Sequence, residues 1–125
     1  MEGMLVNAKR RILVVDDDAS IRTMVRAVLE RAGYEVATAR NGCEAISLMA
    51  ANDYDVVLLD VVMPKLDGLA VVAQLRKENS PVLAHTYLLT AGECRAIDDL
   101  PVRGVIAKPF DIHALLAETK DCIGH

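Results

Sequence analysis

Four short apolar runs along the chain each end in a side chain that can do chemistry. Ile12-Leu13-Val14-Val15 runs into Asp16-Asp17-Asp18, and Val56-Val57-Leu58-Leu59 into Asp60. Tyr87-Leu88-Leu89 runs into Thr90, and Val105-Ile106-Ala107 into Lys108. Runs of this length, rich in Val, Ile and Leu and without polar alternation, predict strands buried on both faces, and so a parallel sheet covered by helices. A further strand is expected over Tyr34 to Ala39. Between the strands the period lengthens to that of a helix. Ile21, Met24, Val25, Val28, Leu29 and Ala32 form one apolar stripe, which Asp18 or Ser20 can cap and Gly33 can end. Ala45, Ile46, Met49 and Ala50 give a second helix after an Asn41-Gly42 turn signal. A third helix runs from about Leu69 to Glu78, a small helical piece lies within Glu93 to Leu100, and Asp111 caps a last helix carrying Ile112, Leu115, Leu116 and Thr119.

Strand then helix, five times over, is the pattern of an α/β protein: a doubly wound five-stranded parallel sheet with helices on both faces. Residues 1–10 read as a flexible lead-in and 11–125 as one domain. In open sheets of this kind ligands sit outside the carboxyl ends of the strands. The four strand ends therefore bring carboxylates, a hydroxyl and an ammonium to one edge.

Composition narrows the field without naming a function. No apolar stretch is long enough to span a bilayer or to form the core of a signal peptide, which points to a cytoplasmic protein with no membrane insertion. A formal net charge of −4 argues against direct nucleic-acid binding, which needs clustered Lys and Arg. Cys43, Cys94 and Cys122 stand too far apart in sequence for a CxxC site, and His85, His113 and His125 are scattered. Free thiols and ordinary surface histidines account for both sets.

The chemistry lies in the acids. Asp16 and Asp17 facing Asp60 make a strongly anionic pocket, and like charges held this close favour a divalent cation. An all-oxygen, partly hydrated site suits Mg²⁺ better than zinc. A lone carboxylate at a strand end, Asp60, can act as a nucleophile toward phosphorus. Lys108 can neutralise phosphoryl charge, and Thr90 offers a rotatable donor.

Five segments carry a resemblance: Leu13-Val14-Val15-Asp16-Asp17, Leu59-Asp60-Val61-Val62-Met63-Pro64, Asp67-Gly68, Leu89-Thr90-Ala91 and Ala107-Lys108-Pro109-Phe110. In this order, each at or just after a strand end, they resemble the receiver domain of the two-component response regulators, of the chemotaxis-regulator-like kind. The resemblance runs from about Arg11 to the C-terminus. It implies a flavodoxin-like strand order 2-1-3-4-5, with Asp60 as phosphoacceptor. Asp17, Asp60 and the backbone carbonyl of Val62 would ligate Mg²⁺, with Asp16 acting mainly through a metal-bound water. Lys108 would contact the phosphoryl group, Thr90 would move toward it on activation, and the Lys108-Pro109 bond would be cis. The implied partners are a histidine kinase or histidine phosphotransfer protein upstream and a protein target or fused output domain downstream. The chain would act on its own side chain only and turn over no outside substrate.

Two departures from the family pattern stand out. Val105 occupies the strand-five position where receivers usually carry an aromatic switch residue, and Tyr87 is not an obvious substitute. Output is then expected to depend on backbone and loop shifts. The interval from Thr90 to Lys108 is about one helical turn shorter than usual, so the fourth helix is expected to be short or frayed and the usual dimer face is in doubt. Val62 cannot orient an attacking water and Gly92 leaves access open, so self-dephosphorylation is expected to be modest.

Three rivals fit less of the pattern. A haloacid-dehalogenase-type phosphatase would want an acid at Val62 and a cap insertion. A flavodoxin-like cofactor binder would want a phosphate-binding loop where three aspartates stand. A receiver fold kept as a phosphorylation-independent docking domain would not need the complete set of acids, threonine and lysine. The remaining acids, Asp53, Asp55, Asp67, Asp98 and Asp99 among them, read as caps, turns or solvated charges, and Met24, Met49 and Met63 as packing residues.

Overall fold

Parallel strands cannot be joined by tight turns, and the first three connections between successive strands of this chain each run through a helix. The computed structural model describes residues 9–63, 66–92 and 100–124. The strands are β1 (Arg11–Val15), β2 (Glu35–Ala39), β3 (Val56–Asp60), β4 (Thr86–Thr90) and β5 (Gly104–Ala107). Helices α1 (Ala19–Arg31), α2 (Gly42–Ala51), α3 (Gly68–Lys77) and α4 (Ile112–Ile123) cover them, and a 3₁₀ turn spans Pro81–His85. All pairings are parallel, in the order β2-β1-β3-β4-β5. The fold class and strand order are those expected.

Alternate side chains of each strand feed two cores. Leu13, Val15, Val57, Leu59 and Leu88 pack with Val71, Val72 and Leu75 of α3 and with α2. Ile12, Val14, Val56, Leu58, Tyr87 and Leu89 pack with Val25 and Leu29 of α1 and Leu115 of α4. Burial of all of β3 and β4, and of β1 from Ile12 to Val15, is what lets these strands dispense with polar alternation. At roughly 25 cal/mol per Å² of apolar surface removed from water, such strands dominate the favourable side of folding.

Several local expectations are corrected. Asn41-Gly42 is not a free turn: Asn41 is the N-cap of α2, its side chain accepting from Glu44 N at 2.9 Å, and Gly42 is the first helical residue. Asp67-Gly68 has the same form at the start of α3. Both glycines are required by close approach, since a Cβ on Gly42 would lie 2.3 Å from the Leu66 carbonyl and one on Gly68 2.3 Å from the Asp60 carbonyl. The α1 stripe is narrower than its period suggests. Val25 and Leu29 are buried, but Met24 is 43% exposed and Ala32 is exposed, so Met24 is not a core residue. β5 stops at Ala107, one residue before Lys108, and a 3₁₀ turn follows Ser80 where the sequence pattern predicts no element. Residues 1–8 of the expected lead-in, and 93–99 of the expected short helix between β4 and β5, lie outside the described residues.

Candidate functional site

The strand order reverses at β1, which has β2 on one side and β3 on the other. At such a switch point the connections leave in opposite directions and open a crevice at the carboxyl edge. The β1 and β3 ends are joined there by those of β4 and β5. Asp16 extends the β1–β2 ladder by one step, its N–H donating to the Ala39 carbonyl at 3.1 Å. Its Oδ1 accepts from Asp18 N at 2.9 Å. Asp18 in turn caps α1 by accepting from Ser20 N and Ile21 N. Asp60 is the last residue of β3, and the next N–H, of Val61, continues the ladder to the Leu89 carbonyl at 3.0 Å. Thr90 ends β4 and is buried; its carbonyl accepts from Lys108 N at 2.7 Å and its hydroxyl from Gly92 N at 3.0 Å. The Lys108-Pro109 bond is cis.

These backbone placements converge three carboxylates. One oxygen from each of Asp16, Asp17 and Asp60 lies within 4.8 Å of the others. Lys108 Nζ bridges two of them, at 3.0 Å from Asp16 Oδ2 and 3.1 Å from Asp60 Oδ1. A cavity of about 270 Å³ opens over the cluster, lined by Asp16, Asp17, Asp18, Ile21, Asp60, Val62, Ala91 and Lys108. Two carboxylates at this separation repel by about 3 kcal/mol at an effective dielectric near 20. Among the described residues one ammonium, that of Lys108, pairs with carboxylates of this three-acid cluster, so negative charge is in excess. The electrostatics follow from that excess. Burial pushes the Asp60 carboxyl up to about 6, and the charge of Asp16 adds to the rise; the hydrogen bond and charge of Lys108 and the backbone of Val62 only partly oppose it. Burial also works against the Lys108 ammonium, but its hydrogen bonds to Asp16 and Asp60 prevail and its pKa is raised.

The donor set fits a hard divalent cation. It is all oxygen, it carries an excess of negative charge among the described residues, and an exposed member, Asp17, keeps one side open to water. All six residues singled out in the sequence stand at this edge. Val62 lines the cavity with a side chain that is 58% exposed, and Asp17 is likewise on the solvent side. Asp18 is the cap the sequence suggested, although it also lines the cavity. The residue overlooked is Arg22, whose Nη1 donates to the Asp16 carbonyl at 2.8 Å. Its only signal in the sequence is a basic residue one helical turn beyond an acidic cap.

Val105 stands on β5 opposite Leu88 and is 42% exposed, on the face of the sheet covered by α2 and α3. Tyr87 belongs to the other face, where its hydroxyl donates to the Glu118 carbonyl at 3.1 Å. The two positions therefore cannot stand in for one another.

Comparison with known proteins agrees with this geometry. The family model of the response regulator receiver domain matches residues 12–120, and the chain belongs to that family. Response regulator MprA of Mycobacterium sp. (strain KMS) is 43% identical over 112 residues, covering 88% of this chain and 49% of its own length. The chain thus spans about half the length of that relative. Among solved structures, the Francisella response regulator 1452 receiver domain superposes with a TM-score of 0.85 at 29% identity, covering 93% of this chain and 98% of its own. Response regulator TrrA of Thermotoga maritima, solved in complex with Mg²⁺-BeF, superposes at 0.79 with 36% identity, covering 90% and 98%. Among the described residues no helix is long and apolar enough to cross a membrane.

Proposed function

We propose that this receiver domain is a Mg²⁺-dependent phosphoacceptor in a histidine-to-aspartate phosphorelay, with Asp60 as the residue modified. The observation that carries the reading is the setting of Asp60. It is buried at a strand end, within 4.8 Å of two further carboxylates, and 3.1 Å from one ammonium. Asp16, Asp17, Asp60 and the carbonyl of Val62 would hold Mg²⁺, which when bound supplies the positive charge that lets anionic oxygens approach one another. That the similar receiver TrrA was solved in complex with Mg²⁺-BeF supports Mg²⁺ as the cation.

The chain's own residues then do the following. A carboxylate oxygen of Asp60 attacks the phosphorus of a phosphohistidine. The N–P bond breaks, its electron pair stays on the imidazole, and an acyl phosphate forms on Asp60. Lys108, already poised on Asp60 Oδ1, passes to the phosphoryl oxygens as they arrive. Thr90, at the end of the neighbouring strand, offers its hydroxyl to another phosphoryl oxygen. The domain works on its own side chain, so it is a switch and not an enzyme with an outside substrate. The domain is cytoplasmic, and its partners are a histidine kinase or histidine phosphotransfer protein and a downstream target or attached output domain.

The test is the intact mass after incubation with acetyl phosphate, with and without Mg²⁺, for the wild type and Asp60→Asn. The expected result is a Mg²⁺-dependent gain of one phosphoryl group that the variant lacks. No gain in either protein overturns the reading in favour of a phosphorylation-independent docking domain.

A further inference from the structure

Of the three acids, Asp17 has the least support of its own. Asp16 is buried and held by Lys108, and Asp60 ends a central strand. Asp17 is exposed, and its carboxylate takes part in no hydrogen bond or ion pair among the described residues. Its place is set by the backbone on either side. On one side that backbone is the Asp16 carbonyl, which lies past the end of β1. The group bonded to it is the guanidinium of Arg22, at 2.8 Å, reaching back from the first turns of α1. Together with the Asp18 N–H on Asp16 Oδ1 and the Asp18 cap on Ser20 and Ile21, this ties the Asp16–Asp18 turn to the helix at both ends. A hydrogen bond from a charged donor is worth about twice a neutral one.

We infer that Arg22 is a positioning residue for the cation site: by holding the Asp16 carbonyl it fixes the peptide that aims Asp17 at the metal. The inference rests on the Mg²⁺ reading of the site. The two physical roles open to Arg22 have opposite signs. Arg22 is a cation hydrogen-bonded to the backbone of the acid cluster. If its charge alone mattered, removing it would tighten Mg²⁺ binding, because one competing positive charge would be gone. If it holds the turn, removing it frees Asp17 and weakens binding. Groups that orient metal ligands commonly matter more than tenfold for tight sites. Here, at a partly hydrated site, a weakening of roughly threefold to tenfold is expected.

The experiment is a Mg²⁺ titration of the ¹⁵N-labelled chain, followed through backbone amide shifts, for wild type, Arg22→Met and Arg22→Lys. The Met variant keeps the stem and its packing while removing donor and charge. The Lys variant keeps the charge and one donor, and also serves if the Met variant fails to fold. Weaker Mg²⁺ binding by Arg22→Met, partly recovered by Arg22→Lys, is the expected outcome. In acetyl phosphate labelling the Mg²⁺ concentration for half-maximal rate should rise while the rate at saturating Mg²⁺ is kept, a split that a general loss of stability would not give. Unchanged or tighter binding by Arg22→Met overturns the inference. A wild type whose amides near Asp16, Asp17 and Asp60 do not respond to Mg²⁺ overturns the cation reading itself, so the two failures are told apart.

Discussion

At the residue scale, the site depends as much on missing side chains as on present ones. Gly68 allows the start of α3 to lie against the Asp60 carbonyl, and its N–H donates to the Val61 carbonyl at 2.9 Å. In Gly68→Ala the new Cβ would sit 2.3 Å from that carbonyl oxygen and 2.9 Å from Val61 Cα, both backbone atoms that cannot swing aside. Alanine gains about 1 kcal/mol over glycine inside a helix, while overpacking of this kind costs about 1–3 kcal/mol or more. The clash should win. Urea unfolding of Gly68→Ala is expected to show a net loss of about 1–2 kcal/mol; a gain in stability would show that the loop after Asp60 yields easily. The sequence made Asp67-Gly68 look like a turn. It could not show that the glycine answers to Asp60, because that contact joins two elements and leaves no trace in local pattern.

At the element scale, three of the helices open on an aspartate: Asp18 for α1, Asp67 for α3 and Asp111 for α4. In each case a carboxylate oxygen takes one of the backbone N–H groups that a helix start leaves without a partner. Two of these caps begin the helices that follow β1 and β3, so they also fix the loops that carry Asp17 and Val62. Asp67 accepts from Ala70 N at 2.9 Å and is solvent-exposed, which makes it a clean place to measure the effect. Asp67→Ala should lower stability by about 1 kcal/mol, and Asp67→Asn, which keeps the acceptor, by much less. Equal losses would mean that charge, not capping, is what Asp67 supplies. The elements were largely legible, since continuous apolar runs and caps are local signals. Helix faces were less so. Met24 has the right spacing for the α1 stripe yet stands exposed, because the breadth of the face a sheet covers depends on the neighbouring helix and not on period.

At the scale of the whole molecule, the site is held at a cost to the metal-free fold. Asp60 ionises near its ordinary value of about 3.8 in the unfolded chain and at about 6 in the fold. Below the lower value both states are protonated and Asp60 costs nothing. As pH rises from about 4 to about 6 the unfolded chain loses the proton first, so stability falls, and above the upper value the full penalty remains. That penalty is on the order of 3 kcal/mol. Without metal, Asp60→Asn should therefore be more stable than wild type at pH 7 and close to it near pH 4, as read by thermal or urea unfolding at each pH. Added Mg²⁺ should narrow the gap at pH 7, since a ligand of the folded state stabilises it by mass action. A variant no more stable than wild type at pH 7 would show that the Lys108 pair fully offsets burial and repulsion.

The sequence by itself determined the strands, their parallel arrangement and the edge at which Asp16, Asp17, Asp60, Thr90 and Lys108 meet. Burial on both faces demands unbroken apolar runs, and a parallel sheet puts every strand end on one side. Tertiary structure alone decided the rest. Lys108 spans from Asp16 to Asp60, Arg22 grips the Asp16 carbonyl, and Gly42 and Gly68 are needed where two backbones touch. Val105 and Tyr87 fall on opposite faces of the sheet. Each of these is a relation between segments distant in sequence or set by side-chain reach. Such relations are fixed only when strand register and helix packing bring the atoms together.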